Sequence, residues 1–142
     1  MSLNGVINTA AVRDEGTTIS YVPLAYPAVA DRHVVDALAR AAKKLGYNFA
    51  EGITHSKDAF YGEIEPETMP NSEYVKQRWQ AWERSNVMCS EMEAAAIFVI
   101  SSIRSCRASG IMAYKKVNLQ AAMETAIEGL RILIEEDKKL GR

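Results

Sequence analysis

The sequence predicts an α/β fold, in which strands and helices alternate along the chain around a shared core. Short apolar runs rich in β-branched residues alternate with longer runs whose apolar residues recur at helical spacing. Gly, Pro and Asp residues that favour turns separate these runs. The length of 142 residues is usual for one domain. Residues 1–142 are therefore expected to form a single α/β sandwich domain.

Composition narrows the classes of partner. Hydrophobic residues make up 48% of the chain, charged residues 25%, and the formal net charge is -1. This balance lacks the basic excess that nucleic acid or an anionic membrane would require. No apolar run approaches the roughly 20 residues that span a bilayer, and the first residues lack the pattern of a signal peptide. Cys89 and Cys106 lack metal-ligand spacing, so the sequence predicts a reduced cytoplasmic protein without a metal site.

The first third of the chain supplies strands and one helix. Residues 5–12 and 18–24 are short, apolar and β-branched, and they predict two strands joined by a tight connection. Asp31 is a plausible N-cap for a helix whose apolar face repeats until Gly46 ends it. Residues 47–55 follow as another strand.

The rest of the chain is predicted to be mainly helical. Residues 56–71 contain a Gly and two Pro and predict a long irregular loop, a common place for ligand sites after a strand. Helical periodicity is present at residues 72–86 and 90–108, and again in a final amphipathic helix at 118–139. Residues 110–113 (GIMA) predict a strand that is cut short.

Two acidic residues flank Met92 in the stretch SEMEAAA. Ser90 and Glu93 have the spacing of a capping box, and the helix dipole favours Glu91 in the first turn. A carboxylate at the start of a buried helix can alternatively accept hydrogen bonds from the paired hydroxyls of a sugar, with Met92 as an apolar floor. The pattern alone leaves both interpretations open.

Four stretches, in order, carry a family resemblance. SEMEAAA resembles the ribose-binding motif of nucleoside phosphorylases and nucleosidases, and AAVRDEGTT, YVPLAYPAVAD and HSKDAFYG closely resemble matching stretches of bacterial uridine phosphorylases. The similarity covers most of residues 6–112 and, more loosely, the last helix. It extends over the second half of the family's fold. It implies a partial phosphorylase/hydrolase-like three-layer sandwich, with a mixed central sheet flanked by helices.

The resemblance also implies roles for individual side chains. Glu93 would bind the ribose 2′- and 3′-hydroxyls, Met92 would pack beneath the sugar, Glu91 would flank it, and Phe60 would lie against the base. No side chain is assigned as a catalytic group. The implied reaction is phosphorolysis, in which phosphate attacks the sugar carbon and the base departs. Inorganic phosphate would be the co-substrate, and no cofactor is implied.

Two positions depart from the family pattern. The Gln and the Arg that read the uracil edge in such phosphorylases are replaced by Glu63 and Thr68. An ionised carboxylate donates no hydrogen bond and threonine has no cationic fork, so uracil recognition is weakened. These residues are either solvated loop positions or the basis of a changed base preference.

The family's glycine-rich phosphate loop and phosphate-binding arginines belong to its first half, for which residues before Gly5 provide no counterpart. The abrupt step from residue 113 to the last helix indicates an internal deletion near 113–117. Arg13 is expected to brace a turn, and His55 to lack an orienting partner.

Uridine phosphorolysis is the first hypothesis. A truncated, non-catalytic nucleoside-binding or assembly subunit is the alternative, and a hydrolytic nucleosidase ranks lower. Homo-oligomerisation is expected, because exposed strand edges invite association.

Overall fold

A computed structural model describes residues 2–141. The strands are β1 (Gly5–Asp14), β2 (Ala28–Val29), β3 (Phe49–Lys57), β4 (Val87–Glu91) and β5 (Gly110–Ala113). The helices are α1 (Arg32–Leu45), α2 (Phe60–Ile64), α3 (Ser72–Arg84), α4 (Ala94–Ile103) and α5 (Leu119–Leu140). Short 3-10 turns cover Thr18–Ser20, Pro66–Thr68 and Lys116–Asn118.

The strands form one mixed five-stranded sheet, as the predicted fold class requires. β1 pairs with β3 and β3 with β4 in parallel. β2 and β5 both pair antiparallel with β1, at Ala10–Ala11 and at Gly5–Asn8 respectively. Because β1, β3 and β4 run in one direction, their carboxyl ends share one edge of the sheet.

Two groups of helices flank the sheet. α4 packs against β1, β2 and β3, and its buried residues Phe98 and Val99 join a core with Ala11 of β1. α1 and α5 pack against each other and against strands β1 and β5. A Cβ at Gly129 of α5 would lie 2.9 Å from Cδ2 of Leu38, so glycine permits the close approach of these two helices.

Several predicted elements are confirmed. α1 begins after Asp31, whose carboxylate accepts hydrogen bonds from the amides of His33 at 2.9 Å and Val34 at 3.1 Å. It ends at Gly46, which has the left-handed φ of 76°. The strand predicted at 47–55 lies two residues later, and the helices predicted at 72–86 and 118–139 correspond to α3 and α5.

The strand predicted at 18–24 is wrong. The carboxylate of Glu15 accepts the amide N–H of Thr17 at 2.7 Å and of Thr18 at 3.0 Å, which turns the chain. The Arg13 guanidinium then donates to the carbonyls of residues 22, 23, 24 and 26. These carbonyls therefore need no strand partner. The bracing role expected for Arg13 is confirmed.

The helix predicted over 90–108 is also wrong at both ends. Residues 87–91 form strand β4, and α4 extends only from Ala94 to Ile103. Residues at the start of the predicted helix instead pair in parallel with β3, and the helical spacing of apolar residues carries no information about pairing with a distant strand. The loop predicted at 56–71 contains the short helix α2 and a 3-10 turn.

Candidate ligand-binding site

The parallel strands end in charged residues: β1 in Asp14, β3 in Lys57 and β4 in Glu91. Ligands of open α/β sheets bind beyond the carboxyl ends of such strands. Among the residues proposed from the sequence, Glu91, Met92 and Glu93 lie at the end of β4. Phe60 and Glu63 lie on α2, which follows β3. This edge is the candidate site.

Glu91 is committed to the fold. Its Oε1 accepts hydrogen bonds from Thr54 Oγ1 at 3.1 Å and Ser56 Oγ at 2.6 Å. Its Oε2 accepts the backbone amides of Glu93 and Ala94, both at 2.5 Å. Glu91 thus joins β3 to β4 and caps the start of α4. A flanking role beside a ligand remains compatible with these contacts.

The predicted capping box of Ser90 and Glu93 is wrong. Ser90 lies within β4, where its hydroxyl donates to the carbonyl of His55 at 3.3 Å. The side chain of Glu93 makes no cap hydrogen bond to α4, because Glu91 already accepts the first amides. The hydroxyl of Ser56 accepts a further amide, that of Ala95, at 2.8 Å.

Glu93 faces solvent. Its Oε2 accepts the amide of the adjacent Met92 at 3.2 Å, and the residue is exposed. Met92 is 37% exposed beside it. A carboxylate next to an apolar side chain at the sheet edge can accept hydrogen bonds from vicinal hydroxyls.

An aromatic surface lies on the neighbouring α2. The rings of Phe60 and Tyr61 are 5.7 Å apart in an edge-to-face arrangement, and Phe60 is 50% exposed. Thr68 is exposed, and its hydroxyl donates to the carbonyl of Glu65 at 2.8 Å within the 3-10 turn. Phe60 therefore offers an apolar ring face, whereas the hydroxyl of Thr68 serves its own turn.

Glu63 is held by a residue that sequence reasoning missed. Lys57 is only 7% exposed, and its Nζ lies 2.5 Å from Glu63 Oε2 and 2.8 Å from Ser90 Oγ. The hydroxyl of Ser90 also lies 3.3 Å from Glu63 Oε2. The ion pair with Lys57 and the nearby hydroxyl of Ser90 together fix the direction of the Glu63 carboxylate at the edge of the sheet. Glu63 is therefore more than a solvated loop residue.

His55 has the orienting partner that the sequence did not reveal. Its Nε2 lies 2.8 Å from Asp14 Oδ2, and Arg78 of α3 contacts the other oxygen of the same carboxylate. The imidazole is 3% exposed, edge-on to the ring of Trp79 at 4.8 Å and tilted to Trp82 at 5.7 Å. The one available signal was that Asp14 and His55 both lie near the ends of strands.

Cysteine and metal chemistry add little to this edge. Both cysteines are free, and burial raises the pKa of the Cys89 thiol, which opposes thiolate formation. Within residues 2–141, no group of three or more His, Cys, Asp or Glu side chains has metal-binding geometry. No helix in that range is long and apolar enough to cross a bilayer.

The fold and the charged carboxyl edge define an α/β protein whose candidate ligand site lies at the ends of parallel strands. The family model described as the phosphorylase superfamily matches residues 4–132. The chain therefore belongs to the phosphorylase superfamily.

Curated relatives carry related names. The uridine phosphorylase of Treponema pallidum is 37% identical over 146 residues, covering 93% of this chain and 57% of that protein. The uridine phosphorylase of Escherichia coli is 29% identical over 145 residues, covering 95% of this chain and 57% of that protein. A guanosine phosphorylase of Halorubrum lacusprofundi is 34% identical over 106 residues, covering 75% of this chain and 39% of that protein. The chain thus spans little more than half the length of the first two relatives.

Proposed function

We propose that this chain is the nucleoside-binding half of a uridine-phosphorylase-like pentosyltransferase. The reaction converts a nucleoside and inorganic phosphate into free base and ribose 1-phosphate. Uridine is the nucleoside that we favour as the substrate. One observation carries the proposal: Glu91 caps α4, so the exposed carboxylate of Glu93 remains able to accept hydrogen bonds from a pentose. The uridine phosphorylases of Treponema pallidum and Escherichia coli support the choice of uridine.

Each proposed contact has a chemical purpose. Glu93 binds the 2′- and 3′-hydroxyls and favours the positive character that develops in the ring as the glycosidic bond breaks. Met92 packs under the sugar, Glu91 flanks it, and Phe60 packs against the base. At the far edge of the base, Lys57 orients Glu63 toward a ring N–H, and Thr68 adds an apolar contact through its methyl group.

The residues that bind phosphate would lie outside the described residues, either elsewhere in a longer chain or on another subunit. No cofactor besides phosphate is needed, because positioning and charge stabilisation account for the chemistry. We place the protein in pyrimidine salvage in the cytoplasm, where thiols such as Cys89 and Cys106 stay reduced. Homo-oligomerisation would cover apolar side chains such as Val117, which is 83% exposed.

The chain is proposed to form one domain with an internal deletion at residues 113–117. Lys115 supports this placement. It adopts φ 65° and ψ 155°, a backbone conformation that is essentially confined to glycine, directly between β5 and the following 3-10 turn. A shortened connection between these two elements would force such a conformation on a non-glycine residue.

A second candidate function is a non-catalytic nucleoside-binding or assembly subunit. The observation that favours it is coverage, since the chain spans 57% of the Treponema and Escherichia enzymes. Hydrolysis, with water in place of phosphate, is a third candidate. Turnover of uridine with and without phosphate separates all of these. Phosphate-dependent turnover supports the phosphorylase, phosphate-independent turnover the nucleosidase, and binding without turnover the subunit.

The substitution Glu93→Ala tests the proposal directly. We expect it to weaken calorimetric binding of uridine and ribose 1-phosphate by about 30-fold, since the pentose loses charge-assisted hydrogen bonds worth roughly 2 kcal/mol. Glu135→Ala, an exposed glutamate on α5, is the matched control and leaves binding unchanged. Equal affinities of the Glu93→Ala variant and the parent chain would defeat the nucleoside assignment.

A further inference from the structure

The last four residues of strand β3, Thr54–Lys57, are polar and buried. Their exposed fractions are 0% for residue 54, 3% for residue 55, 0% for residue 56 and 7% for residue 57. Buried polar groups cost folding free energy unless each is hydrogen-bonded, and strands usually fill such positions with apolar β-branched residues. Four consecutive polar residues therefore indicate that this strand end does more than fill the core.

The four side chains alternate between the two faces of the sheet, as in any strand. His55 and Lys57 face α3, since the ring of Trp79 lies 4.8 Å from the imidazole and 6.0 Å from Lys57 Nζ. Thr54 and Ser56 lie on the opposite face, which α4 covers. The hydroxyls of Thr54 and Ser56 are therefore directed toward the helix that begins beside Glu93.

The two hydroxyls on this face make different contacts. Ser56 Oγ donates to Oε1 of Glu91 at 2.6 Å and accepts the backbone N–H of Ala95 at 2.8 Å. Thr54 Oγ1 lies 3.1 Å from the same carboxylate oxygen and 3.4 Å from the carbonyl oxygen of Cys89, and both acceptors belong to β4. The side chain of Ser56 thus joins three elements, β3, β4 and α4.

The first amides of α4 divide between two acceptors. Glu91 Oε2 accepts the amides of Glu93 and Ala94, both at 2.5 Å, and Ser56 Oγ accepts the amide of Ala95. Ala94 and Ala95 are 3% and 0% exposed, so water has little access to replace either acceptor. These bonds hold the backbone of residues 93–95, and the rotamers open to the Glu93 side chain depend on that backbone.

We propose that Ser56 is a positioning residue for the exposed carboxylate of Glu93. Its hydroxyl fixes the first turn of α4 and thereby directs Glu93 toward both hydroxyls of a pentose. Two hydrogen bonds to one diol require acceptor oxygens in a defined orientation. Ser56 itself is fully buried and acts only through the helix. This role rests on the proposed function, since it requires a pentose at Glu93.

The ratio of two affinities tests this role. 2′,3′-Dideoxyuridine lacks both pentose hydroxyls, so we expect the parent chain to bind uridine about 30-fold more tightly than this analogue in calorimetry. Ser56→Ala is expected to lower that ratio about tenfold, as for the loss of one charge-assisted hydrogen bond. A partly unfolded variant binds both ligands more weakly by the same factor, so a loss of stability alone leaves the ratio unchanged. An unchanged ratio in Ser56→Ala overturns the proposal.

Thr54→Val is the matched control. It removes a buried hydroxyl that contacts the same oxygen of Glu91, keeps the side-chain shape, and leaves the contact between Ser56 and Ala95 in place. The ratio of the two affinities is expected to change less than about twofold. An equal fall in Thr54→Val and Ser56→Ala would show that the contact with Ala95 has no special part, and would overturn the role of Ser56.

A readout on the parent chain avoids dependence on the folding of Ser56→Ala. The amide ¹⁵N–¹H resonance of Ala95 reports on its hydrogen bond to Ser56. Saturation with uridine is expected to move this resonance, because the bound diol acts on the first turn of α4 through Glu93. Saturation with 2′,3′-dideoxyuridine is expected to leave it in place. A resonance that responds equally to both ligands, or to neither, overturns the proposal.

Glu93→Ala separates failure of this role from failure of the proposed function. If the parent chain binds neither ligand, or binds both equally, the nucleoside site at Glu93 and the role of Ser56 are both overturned. If Glu93→Ala removes the preference for uridine and Ser56→Ala retains it, the nucleoside site stands and the role of Ser56 alone is overturned. Loss of the preference in Glu93→Ala, its reduction in Ser56→Ala and its retention in Thr54→Val support the proposal.

Discussion

The two ends of the charged sheet edge use similar residues in opposite ways. At the end formed by β1 and α3, Asp14 is paired with both His55 and Arg78, and the ring of His55 packs against two indole rings. At the β4 end, Glu93 is exposed and takes only a neighbouring amide at 3.2 Å. Saturated carboxylates hold the fold together, whereas a solvent-facing one retains acceptor capacity for a ligand. Glu91 is fully hydrogen-bonded within the fold and Glu93 faces solvent, although only two positions separate them along the chain.

The largest expected effect comes from Glu91→Ala. This substitution removes the acceptor of four hydrogen bonds from Thr54, Ser56 and the amides of residues 93 and 94. We expect a loss of about 3 kcal/mol in the free energy of unfolding, which corresponds to a Tm lower by roughly 6–12 °C.

Urea and thermal unfolding measure the effect of Glu91→Ala, with Glu93→Ala as its matched control. The control should change the free energy of unfolding by no more than about 0.5 kcal/mol, as is usual for exposed positions. If the two variants lose equal stability, the division between a structural and a ligand-binding glutamate is wrong.

The division between Glu91 and Glu93 could not be predicted from the sequence. Ser90 and Glu93 have capping-box spacing, and the local pattern cannot show that β3 recruits Ser90 into a sheet. Likewise, His55 and Asp14 are 41 positions apart, so their contact depends on strand register. The helices α1 and α5 were predicted because their apolar periodicity is encoded within each segment, and α1 also has the caps Asp31 and Gly46.

Asp14→Asn tests the enclosed end of the edge. An amide nitrogen cannot accept from Arg78 or His55, so one of the two donors loses its partner. We expect a loss of about 2 kcal/mol in the free energy of unfolding. The tautomer of His55 should also change, which ¹⁵N spectra can follow because the chain has two histidines.

Asp58→Asn is the matched control for Asp14→Asn. Asp58 is exposed and accepts a single amide, that of Gly16, at 3.0 Å. Its replacement is expected to cost less than about 1 kcal/mol and to leave the His55 spectrum unchanged. An unaltered His55 resonance in Asp14→Asn itself would show that Asp14 does not determine the proton position on the ring.

The smallest effect is expected midway along the edge, where Lys57 combines features of both ends. Lys57 is buried like His55, yet its partner Glu63 keeps 35% of its side chain exposed. Lys57→Met retains the apolar stem and removes the charge, and Glu63 can turn into solvent. The expected loss is therefore only about 1 kcal/mol. Lys76→Met is the control, because Lys76 lies 3.7 Å from Glu67 and 3.8 Å from Glu73 at the surface, and its loss should be near zero.

A double-mutant cycle of Lys57→Met and Glu63→Gln tests whether Lys57 holds Glu63 in place. A coupling energy of about 1 kcal/mol in urea unfolding is expected if the ion pair seen at 2.5 Å persists in solution. A coupling of zero would mean that Lys57 is not what holds Glu63. In that case Glu63, like Glu93, would be a side chain that only a bound ligand brings into order. The sheet edge would then contain one region of paired carboxylates near Asp14 and one region of solvent-facing carboxylates near Glu93, with no intermediate between them.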